Sequence, residues 1–68
     1  MELVVEPEQE EDGRWIAEIT GLPGVLAYGP SRDEALRAVE ALALRVLADR
    51  IEHGELDTHP VSLSFVAA

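Results

Sequence analysis

One long helix, marked by the sequence at both of its ends, most constrains what this chain of 68 residues can fold into. Ser31 stands three residues before Glu34, which is the capping-box spacing, and Asp33 suits the positive end of a helix. Gly54 supplies the left-handed residue that commonly ends a helix, so we predict a helix from Ser31 to about His53. Its apolar residues form a one-sided stripe: Ala35, Leu36, Val39, Leu42, Ala43, Val46 and Leu47.

Four short segments outside this helix have the patterning of β-strands. They are residues 2–6, 14–20, 25–29 and 61–67. Pro7 is expected to end the first strand, because proline has no backbone donor for a sheet ladder. We therefore expect an α+β fold, a two-layer sandwich in which one long helix covers one face of a four-stranded sheet. The order is strand-strand-strand-helix-strand, and residues 1–68 form a single domain.

A single helix covers only one face of such a sheet. Alternation along the second strand directs Trp15, Ala17 and Ile19 toward one face, which is expected to be the core. The apolar residues left without cover are Val4, Ile16, Leu26, Leu44 and Ile51. Small domains commonly bury such groups in a copy of themselves or in a partner, so we expect a homo-oligomer, most simply a dimer.

The chain is strongly acidic, with a net charge of −9. Phosphate repels such a surface, so we expect no direct binding to nucleic acid and instead a basic protein partner. No apolar run approaches the ~20 residues of a membrane span, and the acidic N-terminus does not resemble a secretory signal. We therefore expect a cytoplasmic protein with no membrane partner. Cysteine is absent, which excludes disulfides and thiolate metal sites.

The sequence offers little catalytic machinery. None of the three serines stands in a nucleophile-elbow context, and Ser31 is explained as a helix cap. His53, Asp57 and His59 are spread across a helix end and the Gly54 turn, so they lack the rigid spacing typical of a metal site. We expect a protein that is not an enzyme and that has no catalytic residues, no cofactor and no metal.

The stretch GLPGVLAYGPSRDEALRAVEAL resembles the signature of the HicB-like antitoxin family. In that family a Leu-Pro-Gly turn leads through a short strand to a glycine, and a helix then opens in Thr/Ser-x-x-Glu-Ala-Leu. The matching positions are Leu22, Pro23, Gly24, Gly29, Ser31, Glu34, Ala35 and Leu36. The segment GRWIAEIT is also similar to the second strand of the family, so the resemblance covers roughly residues 1–50. These positions have structural reasons: Pro23-Gly24 makes a tight reversal, and Gly29 permits a backbone geometry that other residues resist.

The resemblance implies a partial ribonuclease H-like fold without the carboxylate cluster of that enzyme. It also implies the antitoxin half of a type II toxin–antitoxin system, which covers the active surface of a small basic HicA-like toxin that cleaves mRNA. Val25 and Pro30 depart from the cysteine and aspartate often found at these positions. Many members continue into a DNA-binding domain, whereas we expect a single HicB-like domain here without one. The alternative is a solitary self-assembling domain that acts as a scaffold or binds a small ligand at a dimer cleft.

Partner contacts cannot be transferred from the resemblance, since the matched motif is structural. We expect Glu18, Tyr28 and Glu40 to lie nearer a partner surface than the buried positions do.

Overall fold

Four strands and one long helix make up the computed structural model, which describes residues 1–68. In chain order they are β1 (Glu2–Gln9), β2 (Trp15–Ile19), β3 (Leu26–Gly29), α1 (Arg32–Glu52) and β4 (Ser64–Ala67). This order confirms the predicted α+β class. No helix has both the length and the apolar character needed to cross a membrane.

The strands form one mixed sheet in the order β3-β2-β1-β4. β1, β2 and β3 are antiparallel neighbours, whereas β4 lies parallel to β1 at the far edge. The chain therefore crosses from one edge of the sheet to the other through α1, which packs on one face and leaves the opposite face without a covering layer.

β1 runs three residues beyond the predicted end at residue 6, so the prediction that Pro7 breaks the strand is wrong. The amide of Thr20 donates to the carbonyl of Val4, and Pro7 lies opposite Ala17 in the same register. Since donors alternate along an antiparallel ladder, the backbone nitrogen of residue 7 points away from β2. It points toward the side of β4, whose pairing with β1 ends at Val5. Proline therefore removes no hydrogen bond from the sheet.

The other strands are shorter than predicted. β2 and β3 lose only terminal residues, whereas β4 begins at Ser64 and not at residue 61. Ser64 pairs with Glu2, the first residue of β1, so the preceding residues have no strand beside them. The apolar alternation of residues 61–67 continues past the end of the ladder, which explains why the pattern predicted too long a strand.

The core lies between α1 and the odd-numbered side chains of the sheet, as the alternation predicted. Its ten buried residues are Leu3, Val5, Ala17, Ile19, Leu22, Val25, Ala35, Val39, Ala43 and Leu47. The four that α1 contributes are spaced four residues apart, and two of them are alanines, so the helix backbone approaches the sheet closely. Trp15 packs half-buried against this cluster, which confirms the predicted parity of β2.

Two glycines of the signature stretch are required for different reasons. Gly24 has φ +83°, and the amide of Val25 donates to the carbonyl of Leu22 across 3.0 Å, so residues 22–25 form a type II turn. Gly29 has no positive φ, and the expected unusual backbone geometry is therefore not the reason for its presence. A Cβ at that position would lie 2.5 Å from the backbone nitrogen of Ala35, so glycine is required for space.

The two ends of α1 confirm the predicted caps. The Ser31 hydroxyl accepts a hydrogen bond from the amide of Glu34 at 3.1 Å. At the other end Gly54 has φ +70°, its amide donates to Ile51, and the following amide donates to Arg50 at 2.8 Å. This is a Schellman motif, which satisfies the last carbonyls of the helix.

Candidate protein-binding face

No other element covers the sheet surface opposite α1, and we call it the open face. Its side chains come from the even-numbered positions of all four strands, as the pleat requires. They are Glu2, Val4, Glu6, Glu8, Ile16, Glu18, Leu26, Tyr28, Ser64 and Val66. Carboxylates and apolar groups are therefore mixed over one continuous surface.

The middle of the open face holds two carboxylates directly opposite each other. Glu6 pairs with Glu18 across β1 and β2, and Glu18 in turn pairs with Leu26 on β3. Both glutamates are exposed, and neither forms an ion pair within the chain. Like charges directly opposite each other destabilise a sheet, so the isolated protein tolerates a local cost at this position.

Apolar side chains surround the paired carboxylates. Tyr28 is 48% exposed, Val66 is 42% exposed and Leu26 is 37% exposed. Val4 and Ile16, on the two central strands, are half-buried. A surface with exposed apolar groups around fixed charges is typical of a protein-binding site, because the apolar area supplies affinity and the charges supply selectivity.

Only one of the five arginines lies outside α1. The Arg14 guanidinium sits 5.0 Å from the centre of the Tyr28 ring, and its Nε contacts an Asp12 carboxylate oxygen at 2.8 Å. The backbone N–H of Arg14 also donates to that carboxylate and holds the pKa of Asp12 below its usual value. Arg14 thus contacts the ring of Tyr28 and the carboxylate of Asp12. It does not neutralise the charges of the glutamates on the open face. Residues 2–20 carry seven carboxylates and this single arginine, a net charge of −6.

The structure separates the three residues that were expected near a partner. Glu18 and Tyr28 both lie on the open face, where Glu18 pairs with Leu26 and Tyr28 pairs with Ile16. Glu40 lies half-buried on α1, in the other layer of the sandwich. The first two thus belong to one surface, and Glu40 does not share it.

Sequence reasoning missed Glu6, which stands at the centre of the open face. Alternation alone placed Val4, Ile16 and Leu26 on this side, and the same parity would have placed Glu6 there. Its position opposite Glu18 depends on the register of the hairpin, which the turn sets. Gly13, at φ +92°, forms the bulge that fixes this register.

The residues considered for metal binding do not converge. No group of three or more His, Asp or Glu side chains lies close enough together to hold a metal ion. His53 contacts Asp49 at the end of α1, with its Nδ1 3.3 Å from the carboxylate and 2.7 Å from the backbone carbonyl. His53 therefore has a structural partner at the C-terminus of α1.

A single shallow pocket lies away from the open face, beside the N-terminus and the loop before β4. It is lined by Met1, Leu56, Asp57, Thr58, Val61 and Ser62. It contains one carboxylate, that of Asp57, and the N-terminal ammonium group of Met1, which donates to the backbone carbonyl of Ser62.

Comparison with known protein families, curated proteins and solved structures found no significant match.

Proposed function

We propose that this protein is an antitoxin-type binding protein that neutralises a small basic ribonuclease by covering it with the open face. The observation that carries the proposal is the exposed Glu6–Glu18 pair with Leu26 and Tyr28 beside it. The resemblance to HicB-like antitoxins suggests the partner, a HicA-like toxin that cleaves mRNA in the cytoplasm.

A cationic side chain from the partner would stabilise the Glu6–Glu18 pair. An arginine placed between the two carboxylates could donate to both, and it would replace a repulsion within the sheet by two charge-assisted hydrogen bonds. These bonds strengthen as the surrounding apolar side chains exclude water from the interface. The open face therefore binds a basic protein better than it binds a neutral one.

The carboxylates of the open face would also block RNA from the active surface of the partner. A ribonuclease of this type holds the phosphates of its substrate with cationic groups, and the carboxylates of the open face would occupy those groups in place of RNA. The net charge of −6 over residues 2–20 also steers a basic partner to this face before contact.

The proposal is tested by co-expressing this chain with the product of the neighbouring reading frame. The two proteins are then purified together, and RNA cleavage by the partner is measured with and without this chain. A stable complex with loss of cleavage is expected. If no complex forms and cleavage is unchanged, the antitoxin proposal fails and the solitary self-assembling domain becomes the better interpretation.

Paired variants locate the contact. Glu6→Gln combined with Glu18→Gln should weaken the complex at least ~tenfold, since charge pairs at protein interfaces commonly contribute more than 1.4 kcal/mol. Glu55→Gln removes an exposed carboxylate outside the open face and should leave affinity unchanged. Glu40→Gln tests whether the partner also reaches α1. An equal loss per removed charge for Glu55→Gln and for the open-face pair would show that only overall charge matters.

A further inference from the structure

The outward side of α1 carries a second uncovered surface that the proposed function does not use. Its apolar members are Ala41, Leu44, Ala48 and Ile51, spaced alternately by three and four residues, and we call them the outer stripe. Leu44 is 48% exposed and Ile51 is 41% exposed. This spacing keeps the stripe on one side of the helix, which is the pattern of helices that pack along a partner helix.

The net charge of α1 differs greatly from the net charge of the rest of the molecule. α1 contains four of the five arginines against five carboxylates, a net charge of −1, which leaves −8 for the remainder of the chain. Two copies that met through their open faces would bring their uncompensated glutamates together. Two copies that met through α1 would join nearly neutral surfaces.

We infer that the outer stripe is a homodimer interface in which α1 of one copy packs antiparallel to α1 of a second copy. The two-fold axis passes near Ala48, whose small side chain lets the helices approach closely where they cross. Leu44 of one copy then packs against Ile51 of the other, and symmetry repeats this contact on the other side of the axis.

Charged residues beside the outer stripe fit the same arrangement. Arg45 and Glu52 are exposed, lie on the same flank of the stripe seven residues apart, and form no ion pair within the chain. In an antiparallel pair each flank meets the same flank of the partner helix, so Arg45 of one copy lies beside Glu52 of the other. Two symmetric ion pairs result, and a parallel pairing of the helices would not form them.

The inference is independent of the proposed function, because it uses the opposite layer of the sandwich. A dimer through α1 leaves both open faces pointing outward and accessible. If both proposals hold, the complex with a basic partner contains two copies of each chain.

Sedimentation equilibrium over a range of protein concentrations tests the interface without any partner. The unmodified protein should dimerise, and Leu44→Gln should weaken the dimer at least ~tenfold because symmetry makes each substitution count twice. Leu26→Gln, a comparable change on the open face, should leave dimerisation unchanged. A protein that stays monomeric at every concentration, or a dimer that Leu26→Gln weakens and Leu44→Gln does not, overturns the inference.

Charge exchange tests the antiparallel orientation. Arg45→Glu should weaken the dimer because it places two acids side by side, and Arg45→Glu combined with Glu52→Arg should restore it. A double variant that dimerises no better than Arg45→Glu would contradict the predicted pairing.

Oxidative cross-linking tests the position of the axis. The chain has no cysteine, so Ala48→Cys introduces a single thiol near the two-fold axis and should form a disulfide with a second copy. Ala38→Cys, also exposed on α1, lies away from the axis and should cross-link far more slowly. Equal rates for the two variants would exclude this interface.

Discussion

At the scale of single residues, Gly29 shows how one missing side chain sets the distance between the two layers. The hypothetical Cβ at this position lies 2.5 Å from the Ala35 nitrogen and 2.9 Å from the Glu34 carbonyl carbon. Both atoms belong to the backbone of the first turn of α1, so no side-chain rotation can relieve the contact. The start of α1 therefore rests directly on the last residue of β3.

Gly29→Ala should lower the free energy of unfolding by about 2 kcal/mol or more, since overpacking a close backbone contact forces the helix away from the sheet. Gly21→Ala is the matched control, because nothing lies within 4 Å of its Cβ position and its φ is not positive. It should be neutral or slightly stabilising, since alanine reduces the freedom of the unfolded chain. Urea denaturation measures both. Equal stability of the two variants would show that the helix start shifts freely.

At the scale of elements, the β1–β2 hairpin combines a structural cost with the proposed binding role. Its register sets Glu6 against Glu18, although many other residue pairs would stabilise the sheet better at this position. Proteins commonly retain such locally unfavourable pairs where they bind another molecule.

Glu6→Gln should therefore raise the free energy of unfolding of the isolated protein by about 0.5 kcal/mol, because it removes a like-charge pair between neighbouring strands. The effect should be larger at low salt, where charges are less screened. Glu11→Gln, in the exposed hairpin turn, provides the control for loss of one charge elsewhere. Thermal or urea unfolding at two salt concentrations measures the difference. A Glu6→Gln variant less stable than the unmodified protein would contradict the interpretation of this pair.

Elements with local signals were predictable from the sequence, and long-range pairings were not. The bounds of α1 could be predicted because Ser31, Glu34 and Gly54 fix the two ends of the helix through contacts within a few residues. The extension of β1 past Pro7 was not predicted, because it depends on which neighbouring strand the backbone nitrogen of Pro7 faces. The same limit applies to the open face, since alternation gives its parity but only the register places Glu6 opposite Glu18.

At the scale of the whole molecule, the charge is distributed by layer. The helix layer is close to neutral, while the sheet and its loops carry nearly all of the net charge of −9. Repulsion among the exposed carboxylates opposes the compact state, and it acts mostly across the sheet.

Adding sodium chloride should raise the melting temperature, because the Debye length falls from ~30 Å at 0.01 M to ~3 Å at 1 M and screens this repulsion. Circular dichroism at a fixed protein concentration measures the effect, since the proposed dimer would make melting concentration-dependent. An uncharged osmolyte such as sucrose controls for general stabilisation of compact states. The increase should be smaller for the Glu6→Gln, Glu18→Gln double variant. A melting temperature that falls with salt would show that attractive ion pairs outweigh the repulsion.

The extension of β1 past the end of β4 also matters for how the protein behaves at high concentration. Residues 6–9 have β2 on one side and no strand on the other, so they form an exposed sheet edge. Free edges of this kind invite strands from other molecules and lead to aggregation. Pro7 presents no donor along this edge, and Glu6 and Glu8 flank it with negative charge. The same proline that the sheet accommodates without cost thus protects the chain against uncontrolled strand addition.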